Sequence, residues 1–317
     1  MLIQTARGPV ESSELGVTLA HEHLAISTDG VAETFPRTYD RAAATEAAVA
    51  MVLDAVAAGA ESLIDVTVLG LGRDIRLIAD VAARVPAHIV VATGIYTFGD
   101  VPAYFKRRSV DDMADVFVDD IRLGIGDSGI RAGMLKCATD EPGVTPGVDM
   151  VLRACARAHR RTGCPITTHT HAATRRGLEQ IAIFEDEGVD LSTVVIGHCG
   201  DTNDIDYLEA VAAKGCILGM DRFGVGNATN PQDARIATVV EMWKRGWGAQ
   251  MVVSHDCPCT IDWFPSHPMG PGRSIRLIFD EVLPALRDAG MGDDDIAQLM
   301  VHTPRRFLEG SRTRASS

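Results

Sequence analysis

Eight short apolar runs alternate with longer amphipathic stretches along nearly the whole chain, and this alternation constrains the fold more than any other feature. The runs occupy residues 17–20, 62–67, 89–93, 132–135, 165–168, 193–197, 215–220 and 251–254. Between them lie segments with helical spacing, such as 41–58, 147–161, 175–187, 204–214 and 274–289. Met150, Val151, Ala154, Cys155 and Ala158 recur three or four residues apart in the second of these. Continuous apolar strands separated by amphipathic helices indicate a parallel sheet covered by helices. Eight such units predict a (β/α)8 barrel of the TIM type, an α/β fold. A doubly wound open sheet is the competing architecture, and it would gather its site at one switch point.

The residues that end the runs decide between the two. His21 and His23 close the first run, Lys136 the fourth, His169 the fifth, His198 the sixth and Asp256 the eighth. Catalytic groups of a barrel collect at the carboxyl ends of its strands. Ligand-type residues spread over five strand ends converge only if the sheet closes. Gly8-Pro9 marks a turn, so the first sixteen residues are expected to form a short β-hairpin ahead of the barrel. Residues 1–310 then read as a single domain, and 311–317 as a disordered tail.

Imidazole and carboxylate are good ligands for divalent first-row metals. In a strand, residues i and i+2 project the same way, so His21 and His23 leave side by side. His21, His23 and Asp256 can hold one ion, and His169 with His198 a second. The segment Thr168-His169-Thr170-His171 offers two candidates, and His169 lies closer to the apolar strand. A bridge between the ions is then needed. Lys136 ends an apolar segment, where desolvation lowers its pKa and favours the neutral amine. A neutral amine can add carbon dioxide and become a carbamate with one oxygen for each ion. Each residue also has a plainer reading: a snorkelling lysine at Lys136, a helix N-cap at Asp256, hydrogen-bonded structural histidines elsewhere. His255, on the opposite face of its strand, reads as structural.

Composition narrows the function. The net charge of −13 without a basic cluster argues against a nucleic acid partner. The N-terminus lacks the pattern of a secretory signal, and no apolar stretch approaches a membrane span. Seven scattered cysteines fit reduced thiols in a cytoplasmic enzyme better than a disulfide framework. The string Gly124-Ile125-Gly126-Asp127-Ser128-Gly129 follows a helical segment and precedes a strand, the reverse of a dinucleotide loop.

Five motifs together resemble the phosphotriesterase family of the amidohydrolase superfamily. They are Gly16-Val17-Thr18-Leu19-Ala20-His21-Glu22-His23, Leu135-Lys136-Cys137-Ala138-Thr139, Thr167-Thr168-His169-Thr170, Ile196-Gly197-His198-Cys199-Gly200-Asp201-Thr202 and Ser254-His255-Asp256. The resemblance runs in order from about Gly8 to Leu308. It implies a binuclear centre in which His21, His23 and Asp256 bind a buried ion and His169 and His198 an exposed one. Lys136, carboxylated at its Nζ, and a hydroxide then join the two. Zinc is the expected metal, with cobalt, manganese or iron as alternatives, and a homodimer is implied.

Two further segments resemble the phosphotriesterase-like lactonases. Gly94-Ile95-Tyr96-Thr97-Phe98 places Tyr96 beside the metals, and Gly219-Met220-Asp221-Arg222-Phe223-Gly224 places Arg222 near the substrate. Cys259-Thr260-Ile261-Asp262-Trp263 is similar to the apolar loop that forms an acyl-chain channel in such enzymes, and the loop 257–271 around it, with Ile261, Trp263, Phe264 and Met269, carries more apolar surface than an exposed loop normally does. The expected activity is therefore hydrolysis of a lactone, N-acyl-homoserine lactones or relatives. Asp256 acts as general base, Tyr96 and Arg222 assist, and Tyr96, Arg222 and Trp263 contact substrate. An organophosphate triesterase and a non-catalytic metal-binding protein are the competing readings.

Overall fold

Burial on both faces is what makes the barrel strands read as unbroken apolar runs. The computed structural model describes residues 1–226, 230–263 and 274–311. A two-stranded antiparallel hairpin comes first, β1 (Leu2–Thr5) and β2 (Gly8–Glu11), with Thr5 opposite Gly8. Arg7 fastens it below the barrel by donating to the carbonyls of Ala82, Val85 and Pro86.

Among the described residues, eight parallel strands then form one sheet in chain order. These are β3 (Thr18–Glu22), β4 (Ser62–Asp65), β5 (His88–Gly94), β6 (Met134–Thr139), β7 (Ile166–Thr170), β8 (Val194–Ile196), β9 (Ile217–Met220) and β10 (Met251–Val253). Their alternation divides the core in two. Ile64, Val90, Ala92, Met134, Val195, Ile217 and Val252 pack inside the barrel, where Ile3, Leu15, Phe307 and Leu308 close its amino end. Leu63, Val91, Leu135, Ile166, Leu218 and Val253 belong to the outer layer beneath the helices.

The helices begin and end where local chemistry directs. Asp40 accepts from Ala43 N at 2.9 Å to start Arg41–Ala58, and Gly59 ends it at φ 118°, a left-handed turn that favours glycine. Thr145 caps Pro146–Thr162, with proline in the first turn. The stretch expected as a helix over 274–289 begins its helical turns late, as a wide turn at Ile278–Val282 continued by Leu283–Asp288. No helix of the described residues is long and apolar enough to cross a membrane.

Closure of the barrel is indirect. Among the described residues no ladder joins β3 to β10; the residues just beyond them do the joining. Asp256 N donates to His21 O at 3.0 Å, Cys259 N to His23 O at 3.2 Å and Ile26 N to Thr260 O at 2.8 Å. Isolated parallel bridges pair His23 with Pro258 and Ile26 with Ile261.

Candidate metal centre

The barrel brings His21, His23, Lys136, His169, His198 and Asp256 to its carboxyl end, around one cavity of about 240 Å3. Lys136 arrives by regular alternation, since Met134 two residues earlier on β6 faces the barrel interior, and so does His169, three residues past the outward-facing Ile166 on β7. The others need local irregularity. Leu19 faces the helices and Ala20 the interior, so strict alternation would turn His21 outward. A shift in the β3–β4 register between Leu19 and Glu22 redirects it. His198 and Asp256 sit just past their strands with φ of 60° and 53°, the left-handed region that a Cβ disfavours. Strained backbone of this kind concentrates at functional sites and needs neighbours to hold it.

Two groupings result. The ligand atoms of His21, His23 and Asp256 all lie within 4.8 Å of one another. Asp256 Oδ1 is 3.2 Å from His23 Nε2 and 3.8 Å from His21 Nε2. Opposite them, His169 Nδ1 and His198 Nε2 approach to 2.9 Å. Asp256 Oδ2 lies 4.0 Å from His198 Nε2, so its carboxylate reaches toward both groups. Lys136 Nζ lies against the first group, 3.1 Å from His21 Nε2, in the cavity that both groups line.

The outer partners reveal the protonation of the rings. Asp140 Oδ2 is 2.8 Å from His169 Nε2, and Asp221 Oδ1 is 2.9 Å from His198 Nδ1. Each carboxylate takes the ring N–H, which leaves a lone pair on the nitrogen that faces inward. Two lone pairs at 2.9 Å repel unless a cation stands between them, and that donor set fits a divalent metal. Asp221 Oδ2 also lies 2.9 Å from His21 Nδ1, off the line of a straight hydrogen bond. His23 Nδ1 contacts Thr67 Oγ1 at 2.8 Å, and Thr67 N donates to the buried Asp65. Burial pushes the pKa of His21, His169 and His198 down, which keeps them neutral as ligands must be.

Burial also lowers Lys136 to about 8, far enough for a neutral amine to be available near physiological pH. For Asp256, burial alone would raise the carboxyl, but the His23 hydrogen bond and the electrostatic influence of His198, His21 and then Arg222 more than offset it and hold it ionised. Arg222 donates to Asp201 at 2.7 Å and places Nε 3.1 Å from Asp256 Oδ2. It pairs with these two, not with the adjacent Asp221. The buried Arg235 completes the set, binding Asp201 and the carbonyls of Gly200, Arg222 and Val225.

Tyr96 stands at the rim, its hydroxyl 3.4 Å from His169 Nδ1, and burial drives its phenol pKa well up. Trp263 packs obliquely 6.2 Å from the Tyr96 ring and is 42% exposed. Ile26, Leu71, Val225, Pro258 and Ile261 supply the rest of an apolar wall. Phe264 and Met269 lie outside the described residues, as does the tail from Arg312 onward. His171 turns away to Thr174 Oγ1 at 2.8 Å, and His255 points to Glu22 at 2.7 Å.

Sequence reasoning passed over Asp221, Asp140 and Thr67. Asp221 carried a readable signal, an acid directly after the seventh apolar run; Asp140, one residue past β6, carried a weaker one. Because Asp221 touches a histidine of each group, Asp221→Asn is expected to weaken metal retention roughly 10–100-fold. Dialysis against a chelator followed by metal analysis checks this, and unchanged retention would remove Asp221 from the orienting role.

The phosphotriesterase family model matches residues 1–308. The chain is 48% identical to a phosphotriesterase homology protein of Mycobacterium tuberculosis, over 97% of each chain. It is 40% identical to an aryldialkylphosphatase of Saccharolobus solfataricus, over 94% of this chain and 96% of that one. A solved structure of the phosphotriesterase from Mycobacterium tuberculosis superposes with a TM-score of 0.93 at 48% identity, covering 98% of this chain and 99% of the other. The chain belongs to the phosphotriesterase family and is a metal-dependent hydrolase acting on ester bonds.

Proposed function

We propose that this hydrolase is a lactonase for N-acyl-homoserine lactones or related lactones, with phosphotriester hydrolysis as a side activity. The observation that carries the reading is a pocket of about 240 Å3 with an apolar wall that meets the histidine cluster beside one buried phenol held in its protonated form. A flat lactone ring fits there with its carbonyl toward Tyr96 and its acyl tail along Ile261 and Trp263. His21, His23 and Asp256 would hold one divalent ion and His169 with His198 the other, carboxylated Lys136 bridging them, with zinc the favoured metal. When bound, the ions supply Lewis acidity and a water of lowered pKa.

The chain's own groups do the rest. Asp256, ionised and aimed between the two histidine groups, accepts the proton of the attacking water. The water oxygen bonds to the carbonyl carbon, and the ring C–O bond breaks. Asp256 then returns the proton to the leaving alkoxide. Tyr96 keeps its proton and donates a hydrogen bond to the carbonyl oxygen as charge builds there. Arg222 holds Asp256 in place through Nε while Asp201 fixes its other end.

The competing reading is an organophosphate triesterase, favoured by the likeness to an aryldialkylphosphatase. Rates on a long-chain acyl-homoserine lactone, a simple δ-lactone and an aryl phosphotriester separate the two, measured on protein of known metal content. A lactone is expected to give the highest kcat/KM; the highest value on the phosphotriester would overturn the reading. A homodimer, as the resemblance implies, and a cytoplasmic location, as the scattered cysteines suggest, are part of the same proposal, and light scattering reports the assembly.

Trp263 supplies a second check. Each methylene buried on the tail contributes up to about 0.8 kcal/mol. Trp263→Ser is therefore expected to raise KM for long-chain lactones more than for short ones and to leave metal content intact. Equal losses for both chain lengths would make Trp263 a scaffold residue.

A further inference from the structure

Glu22 stands between the two histidines of β3, yet it points neither to solvent nor to the proposed metal positions. Its side chain is fully buried. Both oxygens face donors from the segment that follows β10. Oε1 accepts from Ser254 Oγ at 2.7 Å, His255 N at 3.0 Å and His255 Nδ1 at 2.7 Å, and Oε2 accepts from Cys257 N at 3.0 Å. A carboxylate is an acceptor only, and four donors converge on this one, three at Oε1 and one at Oε2.

These contacts lie at the β3–β10 seam, where the described residues form no ladder. Ser254 Oγ, while donating to Glu22, accepts from His21 N at 3.0 Å. His255 uses its other ring nitrogen to accept from Ile278 N at 3.2 Å, so the same ring is held from the following helix. Asp256 lies between two residues bound to Glu22 and adopts the left-handed conformation, with its N–H on His21 O. Backbone in that region persists only when its neighbours impose it. Donors on both sides of Asp256 end on the same carboxylate.

We propose that Glu22 is a positioning residue that locks the end of the eighth barrel strand onto the first and so sets Asp256 opposite His21 and His23. The proposal rests on the assignment of those three residues to one ion. Glutamine keeps the shape of Glu22 but turns one acceptor into an NH2 group that opposes a donor.

The test titrates metal-stripped wild type and Glu22→Gln with cobalt, reading visible absorption and bound metal, with circular dichroism to establish folding. His23→Ala identifies which binding step belongs to the first group. Glu22→Gln is expected to weaken that step about 10–100-fold and leave the other within about threefold. Equal loss at both steps would reveal a merely structural role and overturn the proposal, as would wild-type affinity at both. If His23→Ala leaves both steps intact, the metal assignment itself fails, and the proposal falls with it. Should Glu22→Gln not fold, Ser254→Ala carries the test, because it removes one donor and the link to His21 without burying a new polar group. Weakening of the first step alone supports the lock, and unchanged binding overturns it.

Discussion

Lys136→Ala is expected to lose bound metal and hydrolytic activity together, by more than the roughly 10–100-fold of an outer-shell change. Two divalent ions about 4 Å apart repel by on the order of 16 kcal/mol at an effective dielectric constant of 20, four times the value for unit charges. The centre therefore needs anionic charge between the ions. Lys136 is buried on β6 with its amine 3.1 Å from His21, and burial lowers its pKa to about 8. Addition of carbon dioxide forms an N–C bond, releases one amine proton and leaves the anion that is needed. Only the neutral amine reacts, so at a fixed concentration of dissolved carbon dioxide reactivation of metal-free protein by zinc should quicken as pH rises and level off above about 8. Isotope-labelled bicarbonate should appear in the protein as a carbamate carbon in NMR spectra. Short carboxylic acids added with metal should restore part of the activity of the variant. Full metal occupancy and a wild-type rate in Lys136→Ala would sink the bridge.

Much of this architecture could be read from the chain because parallel strands buried on both faces must be apolar throughout. The eight runs fall on the eight strands for that reason. Their ends were harder to place. The fourth run stops at Leu135 by hydropathy, but β6 continues to Thr139, because Lys136 and Thr139 are polar residues buried within the strand. The wide helical turn at Ile278–Val282 left no mark in the pattern, since its residues suit an ordinary helix equally well.

The residues that hold the site were less legible than those that point into it. Histidines at strand ends are rare enough to attract notice, whereas Asp140, Asp221 and Glu22 belong to a common residue type. What distinguishes each is the group it faces across a strand boundary. Asp221 stands behind two imidazoles from β3 and the β8 end, and Glu22 faces a segment more than two hundred residues away. Alternation also misleads at the critical points. His21, His198 and Asp256 reach the centre through a register shift or left-handed backbone, neither of which spacing encodes. The polar chain Arg235–Asp201–Arg222 was likewise hidden, as Arg235 lies on a helix and reads as a surface residue until its burial is known.

Asp256→Asn is the second large effect expected, a fall in kcat of roughly 10²–10⁴-fold with KM little changed. Its carboxylate is 14% exposed and spans the centre, Oδ1 at 3.2 Å from His23 and Oδ2 at 4.0 Å from His198. Arg222 lies 3.1 Å from the same Oδ2 and helps hold the group ionised, ready to receive a proton. Asparagine keeps the shape but cannot accept that proton, and its NH2 group would confront either the guanidinium or the proposed ion. An amide is also a weaker metal ligand, so the loss has two sources. Assays at saturating metal, with bound metal counted in the same samples, separate them: a proton-transfer defect persists when both positions are filled, whereas a ligand defect recovers. A decrease below about tenfold with metal retained would mean that the proton leaves by another group. Tyr96 is poorly suited to that role, since its buried phenol already holds its proton tightly.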